Sequence, residues 1–115
     1  VVNARARGEQ ALAGLADLAI ACCTGEAILL RAEQAMTDDP ARADLHADLA
    51  TVAVDDVLGA TELAARRIVG AVAAGDEARV LATALRRLFR SDPVDLIAVN
   101  RRIAGAVLAA GGAPI

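Results

Sequence analysis

Aromatic residues are almost absent from this chain of 115 residues: there is one phenylalanine, Phe89, and neither tryptophan nor tyrosine. Without stacking faces the sequence offers no platform for single-stranded nucleic acid. Lysine is missing too. All 12 basic residues are arginine, which together with the abundance of alanine reflects a GC-rich genome. Strand-like alternation is lacking and β-branched runs are few, so an all-α protein is expected.

The residues that carry chemistry are equally scarce. The single histidine, His46, has no carboxylate or cysteine at a spacing that would complete a metal site. Gly8, Gly14, Gly25, Gly59, Gly70 and Gly105 are scattered singly and form no phosphate cradle; close helix packing is their expected role. Thr24, Thr51, Thr61 and Thr83 lack a neighbouring base, and Asp55 and Asp56, being adjacent, diverge on a helix. No catalytic, cofactor-binding or metal-binding residue is therefore assigned. The two cysteines, Cys22 and Cys23, point about 100° apart on a helix, too far round for a mutual disulfide. A reducing, cytoplasmic compartment follows as the expectation, with Cys22 as a small core residue.

Charge is uneven. The net charge is −3, with an acidic balance up to Leu58 and a basic one beyond it. Arg86, Arg87, Arg90, Arg101 and Arg102 make the densest basic stretch, and the expectation is that they answer the acidic half within the fold rather than meet phosphate.

What the sequence does have is helical periodicity. Leu15, Leu18, Cys22, Gly25, Leu29, Ala32 and Met36 follow alternating steps of three and four, one side of a long helix from Ala4 to Met36. Leu45, Leu49, Val52, Asp56, Gly59 and Leu63 continue the pattern in a second helix, Pro40 to Ala73. Asp39 is placed to cap it and Pro40 suits its first turn. Gly75 closes that helix and Asp76 caps a third, Glu77 to Arg90. Ser91, Asp92 and Pro93, with Asp95 completing a capping box, open a fourth from Pro93 to Ala110. Short connections predict an antiparallel up-down helical bundle, two long helices followed by two short ones, with residues 1–115 as a single domain. Val1 is not methionine, which points to a piece of a longer chain.

Two sharper expectations follow. If the first turn centres near residue 39, Cys22 faces Asp56, and an aspartate on an apolar line needs a partner. Arg101 or Arg102 is the candidate for that ion pair. The long helices also reach about 50 Å and the short ones only about 20–27 Å. The short pair should then leave the far tip uncovered, with Ile28, Leu29, Leu30, Met36, Leu45 and Leu49 as an interface. Ala11 to Leu30 is long enough to span a bilayer, but Asp17 and Glu26 would each cost about 2.5–3.5 kcal/mol at its centre, so a buried helix and no transmembrane segment are expected.

The stretches LADLAIACCTGEAILLRAEQA (Leu15 to Ala35) and DPVDLIAVNRRIAGAVLAAGG (Asp92 to Gly112), with HADLATVAVDD and ALRRLFR between them, resemble the C-terminal helical region of bacterial acyl-CoA dehydrogenases. The similarity is to the longer, very-long-chain-like type. That resemblance implies a flavoprotein parent, using FAD to oxidise acyl-CoA thioesters in fatty acid β-oxidation. It also implies catalytic residues in the preceding domains, and an accessory role here in packing, oligomerisation or peripheral membrane contact. Its partners would be the parent's catalytic domains, a second copy, or both, and not nucleic acid. The alternative from the residues alone is an independent helical interaction or oligomerisation module.

Overall fold

A computed structural model describes residues 4–112, and every regular element among them is helical. α1 spans Ala4–Asp38, a single 3-10 turn covers Pro40–Arg42, and α2 (Ala43–Val72), α3 (Gly75–Leu88) and α4 (Leu96–Ala109) follow. The helices have 35, 30, 14 and 14 residues. The chain divides into two compact units, each assembled from separated stretches. One unites residues 4–24 with 57–92, hence the start of α1, the end of α2 and all of α3. The other unites residues 25–56 with 93–112, hence the Asp39 turn, the helix halves on either side of it, and α4.

The breaks fall where proline and glycine put them, but the caps differ from expectation. The Asp39 side chain bonds no amide of the turn it precedes. Arg42 Nε donates to it instead (2.7 Å), and His46 Nε2 lies 3.3 Å from the same oxygen. A carboxylate can only accept, so Nε2 carries the proton in that bond. Gly75 turns the chain at φ +60°, a value that an L side chain resists, and follows an extended Ala74. Asp76 does not cap α3; it sits in the first turn and pairs with Arg79 at 2.7 Å. There its charge still favours the positive helix end. At α4 the cap is Asp95, which accepts from the Ala98 amide at 3.1 Å. The helix starts later than the Ser91–Asp92–Pro93 signature, with residues 91–95 outside it. The Leu96 amide, moreover, is taken by the Val94 carbonyl at 3.0 Å.

In the first unit α1 turns Ala11, Gly14, Leu18 and Ala21 inward, with Gly14 and Ala21 buried. α2 answers with Ala64, Ala65, Ile68 and Ala71. Gly14 makes the closest approach: a Cβ there would lie 2.5 Å from Ile68 Cγ1 and 3.6 Å from the Ala64 carbonyl oxygen. In the second unit the seam continues through Gly25, Ile28, Ala32 and Ala35, while Leu45 and Val99 are its large buried side chains at 7% and 6% exposure.

This seam corrects the sequence reading. Leu18, Gly25 and Ala32 belong to both lines, but Leu15, Cys22 and Leu29 are exposed, their places inside taken by Gly14, Ala21 and Ile28. Small residues let two backbones approach closely, and that face prevails over the leucine-rich one. On α2 the expected line likewise leaves the interior, with Asp56, Gly59 and Leu63 exposed. The expected buried character of the first helix fails with it, since most of α1 is exposed.

Candidate functional site

No described side chain is arranged for catalysis. The threonine hydroxyls are used inside their own helices, each donating to the carbonyl four residues back: Thr24 to Ile20, Thr51 to Ala47, Thr61 to Val57 and Thr83 to Arg79, at 2.7–2.9 Å. Hydroxyls spent this way have no base beside them and a helix backbone in front of them. Among the described residues there is no group of three or more His, Cys, Asp or Glu that could hold a metal. A cavity of about 300 Å³ lies in the second unit between α1 and α2, lined by Ile28, Ala32, Ala35, Leu49, Ala50 and Ala53, with Arg31 and His46 as its polar members.

The electrostatic centre of that unit is Asp48 with Arg102. Arg102 grips the carboxylate with two parallel bonds, Nε to Oδ2 at 3.0 Å and Nη2 to Oδ1 at 2.9 Å. Arg102 was expected to meet Asp56, and this is corrected: Asp56 is exposed and needs no partner, whereas the Asp48 side chain is only 17% exposed. Arg101 is exposed on the next position of α4. The Arg102 hydrogen bonds, then its charge, hold the Asp48 carboxyl below its ordinary 3.8. The bond from His46, with Arg42 behind it, does the same for Asp39. A carboxyl whose folded pKa is depressed contributes stability that is complete above the unfolded value. That stability is lost as pH falls through the folded one. The melting temperature is therefore expected to drop as pH is taken below 3.8, and to drop less in Asp48→Asn than in the parent. Circular dichroism melts across that range check this; equal slopes would count against it.

The residues expected at an uncovered tip divide three ways. Leu45 is buried and is withdrawn from the interface; Ile28, Met36 and Leu49 are half-buried; Leu29 and Leu30 are open at 57% and 59% exposure. The physical reason is α4. It belongs to the same unit as the tip, where Arg102 fastens it to Asp48. Exposed apolar side chains that the sequence reading missed stand on every helix: Leu12 and Ile20 on α1, Val72 on α2, Val80 and Leu88 on α3, Leu108 on α4. On α1 and α2 their signal was present in the sequence as apolar residues one position off the small-residue seam: Leu12 beside Ala11, Ile20 beside Ala21 and Val72 beside Ala71.

The thin interior and the rich exterior are two sides of one fact. Leu12, Leu15, Ile20, Leu29 and Leu30 on α1 are all more than half exposed. α1 is also long and apolar enough to cross a membrane by length and composition, a test that the core helix of a larger protein passes as well.

Among the described residues the chain is all-helical, with a small-residue seam, no metal-binding cluster and many exposed apolar side chains. The model of the family described as acyl-CoA dehydrogenase, C-terminal domain, matches residues 5–87, and the chain belongs to that family. The match covers α1, α2 and nearly all of α3, and ends before α4 and the DPVDLIAVNRRIAGAVLAAGG stretch. No curated protein and no solved structure matches the chain.

Enzymes of this family ordinarily carry FAD in the catalytic part. The described residues do not fit it. The cavity of about 300 Å³ is walled mainly by alanine and aliphatic side chains. Gly8, Gly59, Gly70 and Gly105, which have open space around them, stand singly within helices and build no dinucleotide-binding turn.

Proposed function

We propose that this chain is the non-catalytic accessory domain of a bacterial, FAD-dependent acyl-CoA dehydrogenase of the longer, very-long-chain-like type. Its work is to pack against the catalytic body of the parent and to hold the assembly together. The parent acts in fatty acid β-oxidation in the cytoplasm, a compartment in keeping with two free, exposed cysteines. The observation that carries the reading is the set of exposed large apolar side chains on α1 in a member of this family. The frame is an up-down antiparallel bundle, supported by Gly14 lying against Ala64 and Ile68 and by the cavity that Ile28, Ala32, Leu49 and Ala50 share.

Two measurements test it. The coding sequence upstream of Val1 is expected to encode a flavin-binding dehydrogenase body. In the whole enzyme, the amides and side chains around Leu12, Leu15 and Ile20 are expected to be protected from hydrogen exchange and surface labelling. An upstream start codon with no dehydrogenase before it, or a leucine face as accessible in the enzyme as in the free chain, would favour an independent helical module instead.

A further inference from the structure

The cavity between α1 and α2 has no task in the role proposed above. It lies wholly within the second unit: Ile28 to Ala35 come from α1, and His46 to Ala53 from α2. Its volume of about 300 Å³ is at the small end of the range for small-molecule sites. Six of its eight lining side chains are aliphatic, and all six are half-buried. The other two are Arg31 and His46, and no carboxylate lies among the lining residues. Both have hydrogen-bonding capacity to spare. Arg31 is exposed and makes no hydrogen bond or ion pair among the described residues. Arg42 and Arg102, by contrast, are each engaged with an aspartate. The His46 side chain is only 11% exposed, and its Nε2–H is spent on Asp39 at 3.3 Å. Nδ1 has no partner among the described residues, and no sealed-in side-chain nitrogen or oxygen is left unpaired among them. Nδ1 therefore reaches open space.

We propose that this cavity binds a small organic carboxylate with an apolar tail. Arg31 and His46 Nδ1 hold the head, and the tail lies along Ile28, Leu49 and the alanines. Charge chooses the head. The guanidinium fork fits a carboxylate with two parallel bonds, as Arg102 does on Asp48, whereas an ammonium would meet a cation of its own sign. Alanine chooses the tail, because it leaves room for a chain and offers no side-chain polar atom to a sugar or a base. Volume sets the length. A water molecule takes about 30 Å³ in the liquid, and a methylene group about as much, so the cavity accommodates roughly ten non-hydrogen atoms. Octanoate has that size. Because Nε2–H is already given to Asp39, Nδ1 can donate only from the doubly protonated ring, so the ligand brings a proton into the site with it. The charged groups around the ring are Asp39 and Arg42 from the turn and Arg31 from α1. The carboxylate head answers Arg31 as well as the added charge on the ring.

The site stands on the second unit alone and does not rest on the accessory role. Titration of octanoate into the isotope-labelled chain, followed by amide NMR shifts, tests it. The expected result is a saturable change confined to the residues around the cavity, with a Kd of about 0.1–1 mM for a ligand of this size. Acetate has the head without the tail and octanol the tail without the head, and each should bind at least about tenfold more weakly. Arg31→Gln should weaken octanoate about tenfold and Arg31→Lys about threefold, since lysine keeps the charge and loses the fork. Ala53→Leu should fill the cavity and abolish binding with helical circular dichroism unchanged. Should that variant lose its helices, Arg31→Gln and the two truncated ligands still decide. Between about pH 8 and about pH 6 the affinity should rise about fivefold as the imidazole takes its proton. Shifts that never saturate, equal binding of octanoate and octanol, an Arg31→Gln chain that binds as the parent does, or an affinity flat in pH overturns the proposal.

Discussion

Leu45→Ala is expected to destabilise the chain by about 3 kcal/mol, within the range measured for removing a buried leucine side chain. Leu45 sits two residues into α2, 7% exposed, in the unit that holds the turn and α4. Among the described residues the other buried side chains are alanines, apart from Val99. With so few large side chains fully buried among the described residues, the loss is placed near the middle of that range rather than at its foot. Urea denaturation measures it as a lower midpoint with an unchanged slope. Leu12→Ala is the control: Leu12 is 68% exposed, so in the free chain its loss should fall within about 0.5 kcal/mol. Equal costs for the two would mean that Leu45 is not where the second unit is held.

Gly14→Leu carries the second large expected effect, again about 3 kcal/mol, through overpacking. A Cβ at Gly14 would lie 2.5 Å from Ile68 Cγ1 and 3.3 Å from its Cδ1. Carbon atoms rest about 3.5–4.0 Å apart, so even the first added atom asks Ile68 to turn away. Gly14→Ala is the milder case, since the helix gains about 1 kcal/mol from replacing glycine and that gain opposes the crowding. Leucine adds three further carbons to a place that the Ala64 carbonyl oxygen already borders at 3.6 Å. Gly8 and Gly59 provide the contrast. Nothing lies within 4 Å of a Cβ at either, and their replacement by alanine should raise stability by about 0.5–1 kcal/mol. Ile68→Ala should recover part of the Gly14→Leu loss, a coupling that a double-mutant cycle reads directly. Simple additivity of those two substitutions would argue against the close approach.

The helices themselves were legible in the sequence because their punctuation is local. Asp39–Pro40, Gly75 and Pro93 break the chain by fixed backbone preferences that no tertiary contact needs to enforce. The face that each helix turns inward was not legible in the same way. Periodicity identifies a stripe, but α1 has two stripes sharing Leu18, Gly25 and Ala32. One adds leucines and the other adds Gly14 and Ala21. Choosing the leucines assumes that the largest apolar groups always meet inside the same chain. Here the small residues meet, and the leucines are left for something outside it. The tip was misread for a related reason. Helix lengths said that two short rods could not cover two long ones, but not that residues 89–95 would pass α4 to the tip unit while α3 stayed with the other. Asp56 was chosen for its place on the wrong line, whereas Asp48, one turn past Leu45, is the aspartate that burial obliges to find an arginine.

The small-residue seam has one more consequence, for motion. Alanine presents a nearly flat flank, so two helices meeting through alanine have little relief to lock them against sliding along one another. Ile68 resting in the notch at Gly14 is the pronounced relief in the first unit, and it works as a detent that selects one position along the rods. Filling the notch would not merely crowd the helices; it would also erase the mark by which they find their alignment.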